Sequence, residues 1–491
     1  SDVCSSDLLI MENELSALSV IFTEFYYWVT VVLMFLIHVG FCMYEVGVSR
    51  HKNHLHTLMK NTMLIPLVTV TWFFFGWWIY WAMINGPWIG TSIMDGNSGL
   101  QLGGGYGANE LANPMSPIMG VNLGDHINGV FWAAFLLFSW TAASIVSGAV
   151  IERIRMSAFA ILAIAIGSVF WTIDASWGWH FDGWMVKVLG YHDAYASGVI
   201  HACAGGFALG VLTVLGPRLG KFASDGTPRN IGPRNPWLVT VGIFLIYTGF
   251  WGFYAACNIP ILDVGPEYGL EGVYYTATNI YATPTTLSGI TFNFLMSLSG
   301  GLLAGYLVSK GDPFWTYSSG LAGIITASAG NDLYHPLQAM IIGAIGVYVA
   351  YKMHYWVERK FKIDDAVGAV AVHGYAGVVG LIICGFMLWG YPSSGYEGYA
   401  AINPVGMIIG AIIMFGLLGF LPGYVIAKIL NGMGRLRIPK EVEIAGLDFN
   451  YMEAAKADET AYLLWLTLIF LCHLLQTLLG VNIRPPRHIL P

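Results

Sequence analysis

Charge is what this sequence has least of. Only 10% of its 491 residues are Asp, Glu, Lys or Arg, against about 25% in ordinary soluble domains. That scarcity excludes a solvated globular chain, and it makes the net charge of −7 uninformative beside the position of each charge. Cysteine is sparse too. Cys4, Cys42, Cys203, Cys257, Cys384 and Cys472 form no C-x-x-C pair and no Cys/His cluster with metal spacing. Neither a disulfide framework nor a structural zinc is indicated. The opening SDVCSSDLLI lacks the basic and apolar regions of a signal peptide, and Met11 is the expected natural start. No nucleophile–base constellation or phosphate loop is apparent, and GGGYG at 103–107 falls in a loop, so a membrane enzyme is the least supported reading.

What the chain has instead is apolar length. Hydrophobic residues make up 56%, and runs near 20 residues, each long enough to span a bilayer, recur throughout. Eleven spans are expected at about 22–44, 59–84, 128–150, 156–174, 194–215, 237–257, 285–308, 314–330, 337–354, 366–389 and 404–429. The fold class is therefore an all-α polytopic membrane protein. Basic residues gather in alternate connections: Arg50, Lys52 and Lys60; Arg153 and Arg155; Arg218, Lys221, Arg229 and Arg234; Lys310; Lys352, Arg359, Lys360 and Lys362; then Arg435, Arg437 and Lys440. The other connections hold one basic residue, Lys187, and many acids, among them Asp95, Glu110, Asp125, Asp182, Asp263, Glu267, Glu271 and Glu397. The positive-inside rule puts the N-terminus outside and the segment after span 11 in the cytoplasm of a cell (plasma or inner) membrane. A further apolar stretch, Tyr462–Leu479, lies at the lower edge of spanning length and leaves a twelfth span, an interfacial helix or a non-native terminus open.

Two segments stand out from the apolar background. DAYASGVIH begins at Asp193 and ends at His201; DAVGAVAVH begins at Asp365 and ends at His373. With this topology one runs inward and the other outward. Eight residues at 1.5 Å rise would carry each histidine about 12 Å into the membrane, one from each side. Two five-span halves of opposite orientation, about 22–215 and 237–389 with span 11 appended, fit an inverted repeat with its site between the halves. An aspartate at a helix start is often only a cap, and a lone histidine often only bonds a carbonyl. A matched pair of intramembrane histidines points instead to a pathway or a proton relay. Glycine and alanine around them (Gly198, Ala202, Ala204, Gly205, Gly206; Ala369, Ala371, Gly374, Gly377) permit close helix approach. No acidic or cysteine neighbour completes a metal site; a bis-histidine haem stays open on the pair alone, but no other haem signal is visible and no cofactor is expected.

At these residues the sequence resembles the ammonium transporter (Amt/Mep/Rh) family, in its Amt-like branch, over about 22–450. The likeness is carried in order by YEVGVSRHKN (44–53), IERIR (151–155), DAYASGVIH, GPRLGKF (216–222), GFWGFYAAC (249–257), DDAVGAVAVHG (364–374) and AGLD (445–448). It implies a homotrimer with one pore per subunit between the two halves. It also implies ammonium or ammonia, with methylammonium as an analogue, as the substrate, the lipid bilayer as surroundings, no nucleic acid, and a tail at 431–461 offered to a cytoplasmic regulatory protein. His201 and His373 look like the pore pair, and Asp193 like the acid below an outer vestibule that also takes in Trp179, Cys257 and Phe250. Asp365 looks like the structural acid of the equivalent inner motif. Phe253 looks like one of two gate phenylalanines. Counting back from Glu152 without a gap gives Phe138 as the other, with Phe135 as the fallback, and Trp177 and Trp184 compete with Trp179. The chain departs from the family where Cys257 replaces a serine, Tyr254 an asparagine, and Phe250-Trp251 the usual Trp-Phe.

The resemblance implies a mechanism that the chemistry explains. Ammonium matches K⁺ in size and charge, but it alone can lose a proton. Acidic outer loops and aromatic rings would recruit the cation. Deprotonation near Asp193 would let ammonia pass Phe138 and Phe253, while the proton moves along the histidine pair. Each neutral imidazole offers one donor and one acceptor, so two can relay where one cannot. The expected outcome is electrogenic uptake. An Rh-like electroneutral gas channel and an ammonium sensor that scarcely transports stay open, the second favoured by the weakly hydrogen-bonding thiol of Cys257.

Overall fold

A computed structural model describes residues 2–86, 126–180, 182–260 and 277–448. Eleven long elements carry the architecture: α1 (Asp2–Val48), α2 (His51–Ala82), α3 (His126–Ala149), α4 (Met156–Gly178), α5 (Ser197–Leu215), α6 (Pro236–Ala256), α7 (Leu287–Ser309), α8 (Pro313–Ala327), α9 (Pro336–Phe361), α10 (Val370–Met387) and α11 (Pro404–Gly432). Among the described residues, ten helices, all of these but α8, are long and apolar enough to cross a membrane. The span expected at 314–330 forms the fifteen-residue α8 and a short 3₁₀ turn, Ser328–Gly330. Helix α1 runs back through the segment 2–21, which was expected to precede the first span. The stretch at 462–479 lies outside the described residues.

Local chemistry sets the helix starts. Four helices open on proline at the first position, where its missing N–H is not needed. In each a side chain one residue earlier caps a free backbone donor: Asn235 accepts from Leu238 (3.1 Å), Asp312 from Trp315 (2.9 Å), His335 from Leu337 (3.2 Å) and Asn403 from Gly406 (2.8 Å). On the face with the acidic loops, a small antiparallel sheet joins Asn258–Pro260, Ala277–Asn279 and Pro284–Thr285.

The face with the basic loops is built from buried ion pairs. Arg218 grips Asp364 with Nε to Oδ2 at 2.8 Å and Nη2 to Oδ1 at 3.0 Å. Arg50 Nε donates to Glu152 Oε2 at 2.8 Å. Burial pushes the Asp364 carboxyl up, but the charges of Arg218 and Arg153 outweigh it and hold the group well below the usual carboxylate range. Glu152 is likewise held low, burial being overcome by Arg218 and Arg50.

The tail folds back over these loops. Arg437 donates to the carbonyls of Leu215 (2.7 Å) and Pro217 (2.8 Å) and to Glu443 Oε2 (2.7 Å). Glu443 sits on a short helix, α12 (Lys440–Ala445), and its Oε1 accepts from the Leu219 N–H at 2.6 Å. The Asp448 carboxylate accepts from the N–H groups of Leu55 (2.9 Å) and His56 (3.1 Å), in the first turns of α2, where a helix start favours an anion.

Candidate functional site

Both Asp–His segments fold into the same local structure. The carbonyl of Asp193 accepts from the Ala196 N–H (3.3 Å), and that of Asp365 from the Gly368 N–H (3.2 Å). Each turn ends in the left-handed region, with φ near 70° at both Ala196 and Gly368. Asp193 Oδ2 then accepts from the N–H groups of Gly198 (2.8 Å) and Val199 (2.9 Å); Asp365 Oδ2 accepts from those of Val370 (2.9 Å) and Ala371 (3.2 Å). The offsets of three, five and six residues are identical. This corrects the expected depth of about 12 Å, which assumed continuous helix from each aspartate. The helices start only at Ser197 and Val370 because a left-handed residue intervenes. Each histidine therefore lies in the opening turns of its helix, within a π-helical stretch, Ser197–Ala202 or Val370–Tyr375, an irregularity common at functional sites.

The two helices meet at the imidazoles. His201 Nδ1 and His373 Nδ1 are 3.0 Å apart, with ring centroids at 5.1 Å. The helices reach this distance because Gly205 faces Gly374. A Cβ on Gly205 would lie 2.4 Å from the Gly374 Cα. Both histidines are buried. His201 Nε2 has no hydrogen-bond partner among the described residues.

Aromatic rings continue the line. Phe253 of α6 lies 5.7 Å from His201, Phe138 of α3 meets Phe253 edge to face at 4.7 Å, and Trp179 stands 4.8 Å from Phe138. The contact partner of Phe253 is thus Phe138; Phe135 lies a turn away, 5.7 Å from Phe138. Trp177 and Trp184 contact one another at 5.7 Å, while Trp179 is fixed by its indole N–H, which donates to the Asp193 carbonyl at 2.8 Å. One residue, Asp193, thus holds both the Trp179 ring and the start of the histidine helix.

Phe250 is not grouped with Trp179 and Cys257. It stacks on Phe253 at 4.8 Å and on His201 at 5.8 Å, one turn deeper than expected. Its neighbour Trp251 points elsewhere, to Phe294 at 4.3 Å. Cys257 Sγ donates to the Phe253 carbonyl at 3.2 Å, and the Tyr254 hydroxyl bonds Ser328 Oγ at 2.7 Å.

Asp193 is buried, and its Oδ1 has no hydrogen-bond partner among the described residues. Burial pushes its carboxyl up, and the Val199 and Gly198 N–H groups offset that only in part. Two neighbours escaped sequence reasoning. Tyr191 donates to Asp193 Oδ2 at 3.0 Å, and the Tyr281 hydroxyl accepts from the Asp193 N–H at 3.2 Å. A buried pair, His192 Nε2 with Asp332 Oδ2 at 2.9 Å, pins the same turn. Burial opposes charge on His192, yet the Asp332 carboxylate outweighs it and lifts the imidazole above its usual value. Only the sequence proximity of Tyr191 and His192 to Asp193 could have hinted at these partners. Among the described residues no group of three or more His, Cys, Asp or Glu is placed to hold a metal ion.

A polytopic helical membrane protein with two touching histidines behind a line of aromatic rings belongs to the class of narrow-pore membrane transport proteins. The sequence comparison makes this specific: a model of the Ammonium Transporter Family matches residues 24–457, and the chain belongs to that family. Ammonium transporter Amt2 of Methanocaldococcus jannaschii is 30% identical over 449 residues, covering 90% of this chain and 93% of that protein. Ammonium transporter Amt2 of Archaeoglobus fulgidus is 28% identical, covering 85% and 84%. Among solved structures, a sensor Amt protein has a similar fold, with a TM-score of 0.70 at 24% identity, covering 89% of this chain and 100% of that one.

Proposed function

We propose that this chain takes up ammonium by recruiting the cation, deprotonating it and passing ammonia through the pore while the proton follows the His201–His373 pair. One observation carries the reading: the Phe138–Phe253 contact closes the path beside two imidazoles whose nitrogens lie 3.0 Å apart. Rings in contact leave no hydrated passage, and carrying an ion through such a constriction costs several kcal/mol, on the order of 2.5–3.5 even by the lowest scales. Separating ammonia from its proton avoids that cost. Trp179 and Phe138 supply aromatic faces to the cation. Asp193, whose carbonyl holds the Trp179 indole, has in Oδ1 an acceptor without a partner among the described residues, and an arriving cation favours its ionised form. His201 and His373, as neutral rings, pass the proton by exchanging donor and acceptor roles.

The acidic face is then outside and the basic face, with the tail, in the cytoplasm of the cell membrane. The equal Asp-to-helix turns support an inverted repeat, and family membership supports a homotrimer and a regulatory protein at the tail. His201→Ala and His373→Ala in proteoliposomes test the relay. Each is expected to cut ammonium-evoked current by about tenfold or more. Full, ammonium-selective current in both variants would rule it out.

A further inference from the structure

Resting on the transport reading above, a second question follows: what accepts the proton beyond His373. On the basic-face side of that ring lies a small cavity of about 20 Å³, room for one water molecule. Its walls include His373, Tyr44, Ser144, Gly148, Val367 and Glu45. Glu45 is 1% exposed. Its Oε2 is fully engaged, accepting from Ser147 Oγ at 2.8 Å and Asn61 Nδ2 at 3.1 Å, with Lys60 Nζ at 3.5 Å. Its Oε1 is buried and has no hydrogen-bond partner among the described residues. A carboxylate oxygen left in that state inside a membrane protein is costly, and it calls for an explanation.

The position of Oε1 supplies one. A Cβ on Gly148 would lie 3.7 Å from Oε1 and 2.8 Å from Val367 Cγ2. Gly148 and Val367 both wall the cavity, so Oε1 is at its edge, and the missing side chain of Gly148 keeps the space open. The surrounding polar groups are otherwise committed. Lys60 donates to the Ser147 carbonyl (2.7 Å) and Oγ (3.0 Å), and the Tyr44 hydroxyl pairs with Ser318 Oγ (2.7 Å). One turn further along α1, Val48 lines a larger cavity of about 300 Å³ with Arg218, His354 and Asp365.

We propose that Glu45 is the proton acceptor on the inner side of the histidine pair, reached through water in the cavity it shares with His373. The imidazolium of His373 gives its proton to that water, which gives one to Oε1, forming a carboxylic O–H and leaving His373 neutral. Loss of that proton into the larger cavity restores the carboxylate. One positive charge crosses and nothing is oxidised or reduced. Oε2 holds α1 to α2 and α3 throughout, which gives the two oxygens of one side chain separate tasks.

The test compares wild type, Glu45→Gln and Glu45→Asp in proteoliposomes, reading ammonium-evoked current together with ammonia entry as alkalinisation of a trapped pH dye. Glu45→Gln is expected to lower current about tenfold while ammonia entry persists. Glu45→Asp keeps a carboxylate, withdrawn by one methylene, and is expected to fall between. Wild-type current in Glu45→Gln, or current and ammonia entry falling in proportion, overturns the proposal. If Glu45→Gln does not fold, Glu45→Asp decides by the same ratio: lowered supports it, unchanged overturns it. Ammonia entry without current in the wild type would overturn the transport reading itself, and this proposal with it.

Discussion

Single residues carry the chemistry, and Cys257 is a departure among them, since it stands where the resemblance to the family leads one to expect serine. Its Sγ donates to the Phe253 carbonyl at 3.2 Å, and a thiol is a weaker donor and acceptor than a hydroxyl. Cys257→Ser is expected to strengthen recruitment by about one ordinary hydrogen bond, ~1 kcal/mol. The half-saturating ammonium concentration for current should fall severalfold, with His201 and His373 untouched; an unchanged or raised value would mean that Cys257 takes no part in recruitment. Residue identities were the most legible part of the site. The equal Asp-to-His spacing was visible in the sequence, and so were Phe138, Phe253 and Trp179 as candidates. The direction of Phe250 was not. Consecutive residues on a helix face about 100° apart, and which of Phe250 and Trp251 faced His201 depended on the rotation of α6, set by packing.

At the scale of elements, the histidine pair depends on how closely α5 and α10 approach. Gly205 decides this, because any side chain there meets the Gly374 backbone. Gly205→Val is expected to destabilise the protein by about 1–3 kcal/mol through overpacking and to reduce the current by separating the imidazoles. Thermal unfolding in detergent checks the first effect and proteoliposome current the second; wild-type values for both would contradict the crossing described. The small residues around the histidines made close approach legible in the sequence. The left-handed turn before each helix was not. Gly368 suits φ near 70° without penalty, but Ala196 adopts it too, and nothing in an alanine announces that conformation. The turn is imposed by the aspartate, whose Oδ2 holds the N–H groups five and six residues on. Each aspartate thus bonds backbone donors as a cap would, but five and six residues on and across a left-handed turn.

Across the whole molecule, the spans and the charge asymmetry of the loops were readable because both follow from bilayer physics, lengths near 20 residues and basic loops on one face. Tertiary ion pairs were not readable. Arg218 with Asp364 and Arg50 with Glu152 join segments by geometry alone, and no sequence period encodes them. With the Asp448 contacts to the start of α2, they make the basic face a single tied surface. The most direct measurement of the central claim is the current evoked by ammonium pulses on proteoliposomes, with K⁺ pulses as the control. The account predicts a saturable ammonium current with none for K⁺, because only ammonium can shed its proton before the Phe138–Phe253 contact. Equal currents for both ions would contradict it, since the pore would then be passing intact cations.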